Sequence, residues 1–281
     1  MLPNGDLISI GGNRLGGKSI RLFLLTDLEP KFVEKEQALG APRWYSSNCV
    51  LEDRSTMIIG GRDSHSYDLM PPQVDFKPTV INLLFLQQTT EPAIGQGLHA
   101  ENNLYPFTFL IPDGNVFIFA NDRAIRFNPR TGEMAVLDNS KPIPVEVVVC
   151  GGNNKDVFVN VDAQYTQNRV FSPAFADCNR IKVLADKPAW EKEQDMPSPR
   201  IMGDLLVLSN GQFLLINGVK KGTPEWEDGE DPNLTPTVYM PEKEMGKRFK
   251  ELKPTTIPRM YHSVSLVLPD SKILVAGGNS H

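Results

Sequence analysis

The sequence predicts an all-β protein, a kelch-like β-propeller, and three observations carry that expectation. The first is an internal repeat: an apolar segment, a polar turn, a second apolar segment and a small or glycine pair recur along the 281 residues. The second is turn chemistry. The chain holds 22 glycines and 23 prolines, spread from end to end, the punctuation that many short strands require. The third is weak helical periodicity, since no stretch of 12 or more residues keeps a 3.6-residue apolar period without Gly or Pro.

The copies of the repeat end at Gly12, Gly61, Asn121, Gly152, Gly218 and Gly278, at intervals of 49, 60, 31, 66 and 60 residues. Their mean is about 53, close to the roughly 50-residue period of kelch blades. Each copy reads as two antiparallel strands joined by a tight turn, with Asn4-Gly5 and Asp113-Gly114 the strongest hairpin signals. The closing glycines are expected to let the backbone pass near the propeller centre, where a side chain would clash. The 31-residue interval is too short for a whole blade, so a strand or two is expected to be missing after Pro144. The six marks are therefore read as an incomplete seven-bladed ring, and a ring short of strands leaves unpaired edges. Lys31 to Leu39 reads as one short surface helix.

Composition excludes several classes. Lys and Arg total 29 against 34 Asp and Glu, a net charge of −5, which argues against a nucleic-acid partner. Charged residues at 22% and apolar residues at 40% suit a globular chain rather than a disordered one. The most apolar stretch, Val80 to Leu86, is far shorter than the roughly 20 residues of a membrane span. Met1 is followed by Leu-Pro-Asn-Gly-Asp, with no basic start and apolar stretch of the secretory type, so no signal peptide is expected in this sequence.

Few residues offer chemistry. The four histidines are His65, His99, His262 and His281, and the chain has no HxH, HExxH or CxxC spacing for a local zinc site. It lacks the GxSxG elbow of a serine hydrolase and the P-loop and GxGxxG nucleotide fingerprints. Tyr261-His262, just before a blade strand, is the most informative pair. Successive strand residues point to opposite faces, so both can reach one metal only where the backbone leaves strand geometry, as near Pro258. A phenolate with an imidazole suits Cu(II); a half-buried tyrosine beside a surface histidine is the other reading of the pair. Tyr105 precedes Pro106, which biases it to an extended backbone and so fixes its direction; taken alone it reads as a packed aromatic at a strand start. Cys150 and Cys178, 28 residues apart, are either a disulfide worth roughly 3 kcal/mol in the chain-entropy model or two buried thiols. Cys49 reads as a small packed hydrophobe. The acidic loop around Trp226 lacks EF-hand spacing and reads as solvated.

Six segments together carry a resemblance: Arg43-Trp44-Tyr45-Ser46-Ser47-Asn48, Ile58-Ile59-Gly60-Gly61-Arg62, Glu101-Asn102-Asn103-Leu104-Tyr105-Pro106, Phe117 to Asn121, Arg200 to Asp204 and Ile257 to Ser263. In this order they resemble the N-terminal propeller domain of plant glyoxal oxidases, relatives of galactose oxidase, over nearly the whole chain. The resemblance implies a single propeller domain over residues 1–281 without the family's C-terminal β-sandwich domain. It also implies a copper radical oxidase that oxidises small, glyoxal-like aldehydes to carboxylic acids and reduces O₂ to H₂O₂, in an extracellular or cell-wall setting. By the same resemblance Tyr105 looks like the radical tyrosine cross-linked to a cysteine, Tyr261 like the axial copper ligand and proton acceptor, and His262 like an equatorial copper ligand. Cys150 and Cys178 fall where the plant relatives have cysteines, which favours the disulfide.

Two of the family's five key groups have no counterpart among these residues. The cross-linking cysteine precedes the first blade strand in the family, and Cys49 does not match it. The second copper histidine belongs to the sandwich domain, and His281 does not match its motif. The chain alone is therefore expected to show little oxidase activity, with a non-catalytic kelch-like binding module or a degenerate fragment as the alternative. Protein or glycan partners are not indicated. Tyr105 and Tyr261 are 156 residues apart, so their convergence requires a closed or nearly closed ring.

Overall fold

The computed structural model describes residues 2, 4–25, 29–72, 79–92, 99–100, 103–133, 145–161, 168–185, 187–224, 228–268 and 270–278. Trp226, His281 and residues 101–102 and 134–144 lie outside them. The regular structure among the described residues is almost wholly antiparallel sheet, joined by turns and loops, with two five-residue α-helices, Leu84–Gln88 and Val157–Val161. No helix among the described residues is long and apolar enough to cross a membrane. The chain divides into two compact units, residues 1–145 with 183–186, and residues 146–182 with 187–281.

The first unit carries three blade-like meanders. The first runs Leu7–Ile10, Ile20–Phe23, Phe32–Lys35. The second runs Ser47–Val50, Thr56–Ile59, Ser66–Met70, Ile81–Asn82. The third runs Phe107–Leu110, Val116–Ala120, Arg123–Phe127. A small hairpin, Glu91–Pro92 with His99–Ala100, lies between the second and third. The Asp113-Gly114 turn stands where the sequence puts it: Gly114, at φ +81°, donates its amide to the Ile111 carbonyl.

The second meander is covered on both faces, and its sequence shows why. Met57 and Ile59 project into a core with Val116, Ile118, Phe127 and Leu86. Ile58, pointing the other way, packs with Ile20, Leu22, Leu39 and Met70. A strand buried on both faces reads as a continuous apolar run. Cys49 belongs to the first of these cores, and burial pushes its thiol pKa up.

The expected helix at Lys31 to Leu39 is a strand, Phe32–Lys35. Pairing overrides local propensity here: Phe32 lies opposite Phe23 with rings 5.0 Å apart, and Glu34 lies opposite Arg21 with an ion pair of 2.8 Å.

The second unit repeats the theme. One meander runs Glu146–Cys150, Cys178–Lys182, Trp190–Lys192. The next runs Asp204–Val207, Phe213–Ile216, Thr237–Tyr239, Phe249–Glu251, with the hairpin Val219–Gly222 and Gly229–Pro232 inserted within it. Ser263–Val267 and Ile273–Gly277 form the last pair. Cys178, Met196, Leu215 and Tyr239 make the core between the first two sheets. Five meanders and one hairpin thus answer the six sequence marks.

The glycine pairs make close main-chain contacts at the blade entrances. At three junctions a glycine after a blade strand bonds to the polypeptide that enters the next blade, whereas Gly277 and Gly278 lie against the entrance of their own blade, at His262 and Met260. Gly12 donates its amide to the Arg43 carbonyl at 3.2 Å, Gly152 to the Arg200 carbonyl at 3.1 Å, and Gly218 to the Arg259 carbonyl at 2.8 Å. At Gly151, with φ +78°, a Cβ would collide with the Arg200 carbonyl oxygen, and only glycine fits.

Candidate metal centre

A Pro-Arg pair precedes three of the blades, at Pro42-Arg43, Pro199-Arg200 and Pro258-Arg259. Each arginine turns back onto its own blade and pins the entrance. Arg43, wholly buried, donates to the carbonyls of Gly60 and Ser66 at 2.9 and 2.8 Å and pairs with buried Asp68 at 2.7 Å. Arg200 donates to the carbonyls of Asn217 and Thr235, and burial draws its guanidinium pKa down to about 10. Arg259 donates to the Gly277 carbonyl at 2.5 Å. The residues after each arginine are therefore held in fixed turns.

In the second unit the turn after Arg259 carries Tyr261 and His262. Ser263 donates its amide to the Met260 carbonyl at 3.1 Å, and His262 takes φ +61°. The backbone thus leaves strand geometry where a shared site would need it to. The rings of Tyr261 and His262 end up 4.0 Å apart, centroid to centroid. Tyr261 is 7% exposed, whereas His262 is exposed. A buried phenol beside an accessible imidazole is a donor pair suited to Cu(II). Among the described residues no three His, Cys, Asp or Glu side chains gather in a metal-binding group.

In the first unit Tyr105 is 42% exposed and its φ is +50°. The extended backbone expected before Pro106 is not adopted. Its amide is drawn onto the Tyr45 carbonyl at 3.0 Å, and that bond sets a left-handed turn instead. The rings of Tyr105 and Tyr45 lie 5.2 Å apart, Tyr45 stacks on Trp44 at 4.5 Å and 22°, and the Arg62 guanidinium lies 5.2 Å from the Trp44 ring.

Sequence reasoning passed over Tyr45 as a site residue. Laying the blade entrances over one another finds it: Pro42-Arg43-Trp44-Tyr45 matches Pro258-Arg259-Met260-Tyr261, and Asn103-Leu104-Tyr105 occupies the same place without the arginine. Tyr105 and Tyr45 belong to the first unit, Tyr261 and His262 to the second.

Cys150 and Cys178 are directly opposite one another on paired strands, Cα atoms 4.1 Å apart, and are joined by a disulfide.

The family model described as glyoxal oxidase N-terminus matches this chain over residues 1–137 and again over 131–281. The short 31-residue repeat interval falls where the match breaks in two. Over 99% of its length the chain is 51% identical to "Putative aldehyde oxidase Art an 7" of Artemisia annua and 36% identical to aldehyde oxidase GLOX1 of Arabidopsis thaliana. It covers 51% and 47% of them, so the chain spans about half the length of the curated relatives it matches. Among solved structures, a copper-bound fungal alcohol oxidase of the AA5 family superposes with a TM-score of 0.54 at 12% identity, covering 97% of this chain and 67% of that one. That likeness concerns the fold alone, a kelch-like β-propeller built from the meanders described above. With its whole length matched by one family model, the chain belongs to the glyoxal oxidase N-terminal family.

Proposed function

We propose that this chain is the propeller portion of a copper radical oxidase that converts small aldehydes, glyoxal-like in size, to carboxylic acids. The balance is one aldehyde, one water and one O₂ giving one carboxylic acid and one H₂O₂. The observation that carries this reading is the turn at Met260–Ser263, which sets the Tyr261 phenol and the His262 imidazole side by side in a chain of the glyoxal oxidase family.

Tyr261 and His262 are the residues of the second unit that would hold the metal, and the family resemblance adds a tyrosine of the first unit to the set. Copper, when bound, supplies a one-electron change that complements the one-electron oxidation of a tyrosine. Tyr261 is buried, and its phenol is the group the resemblance makes the acceptor of a substrate proton. Tyr105 is the family-based choice for the first-unit phenol. A specific observation favours Tyr45 as a second choice: it shares the Pro-Arg-x-Tyr entrance with Tyr261, and its ring is held between Trp44 and Tyr105. Residues 1–281 are read as one propeller domain, and the Cys150–Cys178 disulfide supports an extracellular setting.

Equilibrium dialysis of the purified chain against Cu(II), followed by a glyoxal-dependent H₂O₂ assay, tests the reading. One bound copper per chain with little H₂O₂ is expected, because the cross-linking cysteine and second histidine are not among these residues. Failure to bind copper, or robust turnover, contradicts it.

A further inference from the structure

Among the described tyrosines, Tyr67, Tyr239 and Tyr261 are buried, Tyr45 is half-buried and Tyr105 is exposed. The hydroxyls of Tyr67 and Tyr239 are engaged with the Pro129 carbonyl and the Glu193 carboxylate, at 3.1 and 3.0 Å. Of these five phenols, the one that a one-electron oxidant in solvent meets first is therefore Tyr105. Beside its ring stands a second phenol, Tyr45, at 5.2 Å and 58°.

The pair is held by more than ring contact. The Tyr105 amide donates to the Tyr45 carbonyl, and both residues take left-handed turns, with φ of +50° and +65°. The two backbones are thus bonded to each other across 60 residues of sequence (105 − 45). Trp44 covers one face of Tyr45 in a near-parallel stack at 22°, and the Arg62 guanidinium lies against Trp44 in turn. That column steadies the Tyr45 ring. The half-exposed Tyr105 ring has room to turn, and exposed side chains change rotamer within picoseconds to nanoseconds. Tilted rings meet edge to face, which brings ring-edge carbons of one phenol onto the other. The near-parallel Trp44–Tyr45 stack does not.

We propose that Tyr45 and Tyr105 form a modification site, at which oxidation joins the two rings as dityrosine. The oxidant is H₂O₂ acting through a haem peroxidase. Each phenol gives up one electron and its hydroxyl proton. The two phenoxyl radicals then form one carbon–carbon bond between ring positions ortho to oxygen, and the two hydrogens at those positions leave carbon as protons while the hydroxyls are restored. The balance is two tyrosines and one H₂O₂ giving one dityrosine and two waters. Prior placement gives this coupling the advantage of an intramolecular step. The new bond welds two successive blade entrances and closes a long loop, which restricts the unfolded chain. The site does not depend on the oxidase reading, because peroxide and peroxidase come from outside.

The test treats the purified full chain with a haem peroxidase and H₂O₂, beside Tyr45→Phe and Tyr105→Phe, both of which keep the main-chain bond between the entrances. Dityrosine fluorescence of the monomeric chain is expected to be at least tenfold stronger in the parent than in either variant. Peptide mapping of the parent is expected to find the Tyr45 and Tyr105 peptides joined, two hydrogens lighter than their sum. The joined chain is expected to melt at a higher temperature. Parent monomer without dityrosine, dityrosine that maps to other tyrosines or only between chains, or equal yield from either variant overturns the proposal.

Discussion

The amide of Tyr105 donates to the carbonyl of Tyr45 at 3.0 Å while their rings pack 5.2 Å apart, so two successive blade entrances are joined through their tyrosines. Tyr45 is thereby positioned by the next blade's backbone as well as by its own arginine, and Tyr105, whose entrance lacks an arginine, by the backbone of the blade before it. Exchange of either phenol for Phe is expected to leave the fold intact, because the joining bond is main chain. Far-ultraviolet circular dichroism and melting temperature of Tyr45→Phe and Tyr105→Phe check this, and a large drop in melting temperature would count against it.

The Arg43–Asp68 pair fixes the first of those entrances. Both side chains are wholly removed from solvent, and removing one partner strands the other charge. Asp68→Ala is expected to destabilise the first unit by about 3–5 kcal/mol, measured by urea denaturation. A loss below about 1 kcal/mol would show the pair to be dispensable.

Glycine at the blade junctions is a steric requirement. Gly151 has positive φ and no room for a Cβ, whereas Gly211, at φ +81°, has open space around it. Gly211→Ala is expected to cost about 1–2 kcal/mol, the strain of a left-handed alanine. Gly151→Ala is expected to cost distinctly more, because the Arg200 carbonyl has to move. Equal melting temperatures for the two variants would refute the junction role.

Acid is expected to loosen the second unit through Glu193. Burial works to raise this carboxyl, but the Gln194 amide, the Tyr239 hydroxyl at 3.0 Å and the guanidiniums of Arg180 and Arg248 outweigh it and hold it below the usual carboxylate range. With the folded value depressed, the contribution is fully present above the ordinary carboxylate pKa and is lost as pH falls through the folded value. Glu193→Gln is expected to be less stable at neutral pH and to show a shallower decline in melting temperature below about pH 4. An unchanged acid profile contradicts this.

Much of the architecture was legible because blades are local. The apolar-turn-apolar-Gly pattern marks a hairpin and a junction together, and five of the six marks have a meander and the last a hairpin. The Tyr261-His262 turn was legible for a related reason: two neighbours can share a site only off a strand, and His262 is off it. What was not legible depends on pairing. Phe32–Lys35 is a strand only because Ile20–Phe23 lies beside it. Tyr105 is left-handed only because the Tyr45 carbonyl holds its amide. The segment ending at Gly152 reads in sequence as a blade short of strands, and its one strand pairs forward to Cys178–Lys182. Tyr45 was visible only by comparing blade entrances with one another.

The most direct test of the account is a Cu(II) titration of the purified chain read in the visible spectrum, comparing Tyr261→Phe and His262→Ala with the parent. The account predicts a phenolate-to-copper charge-transfer band in the parent that is changed or lost in Tyr261→Phe, and copper affinity at least tenfold weaker in His262→Ala. Identical spectra and affinities in all three proteins would contradict it.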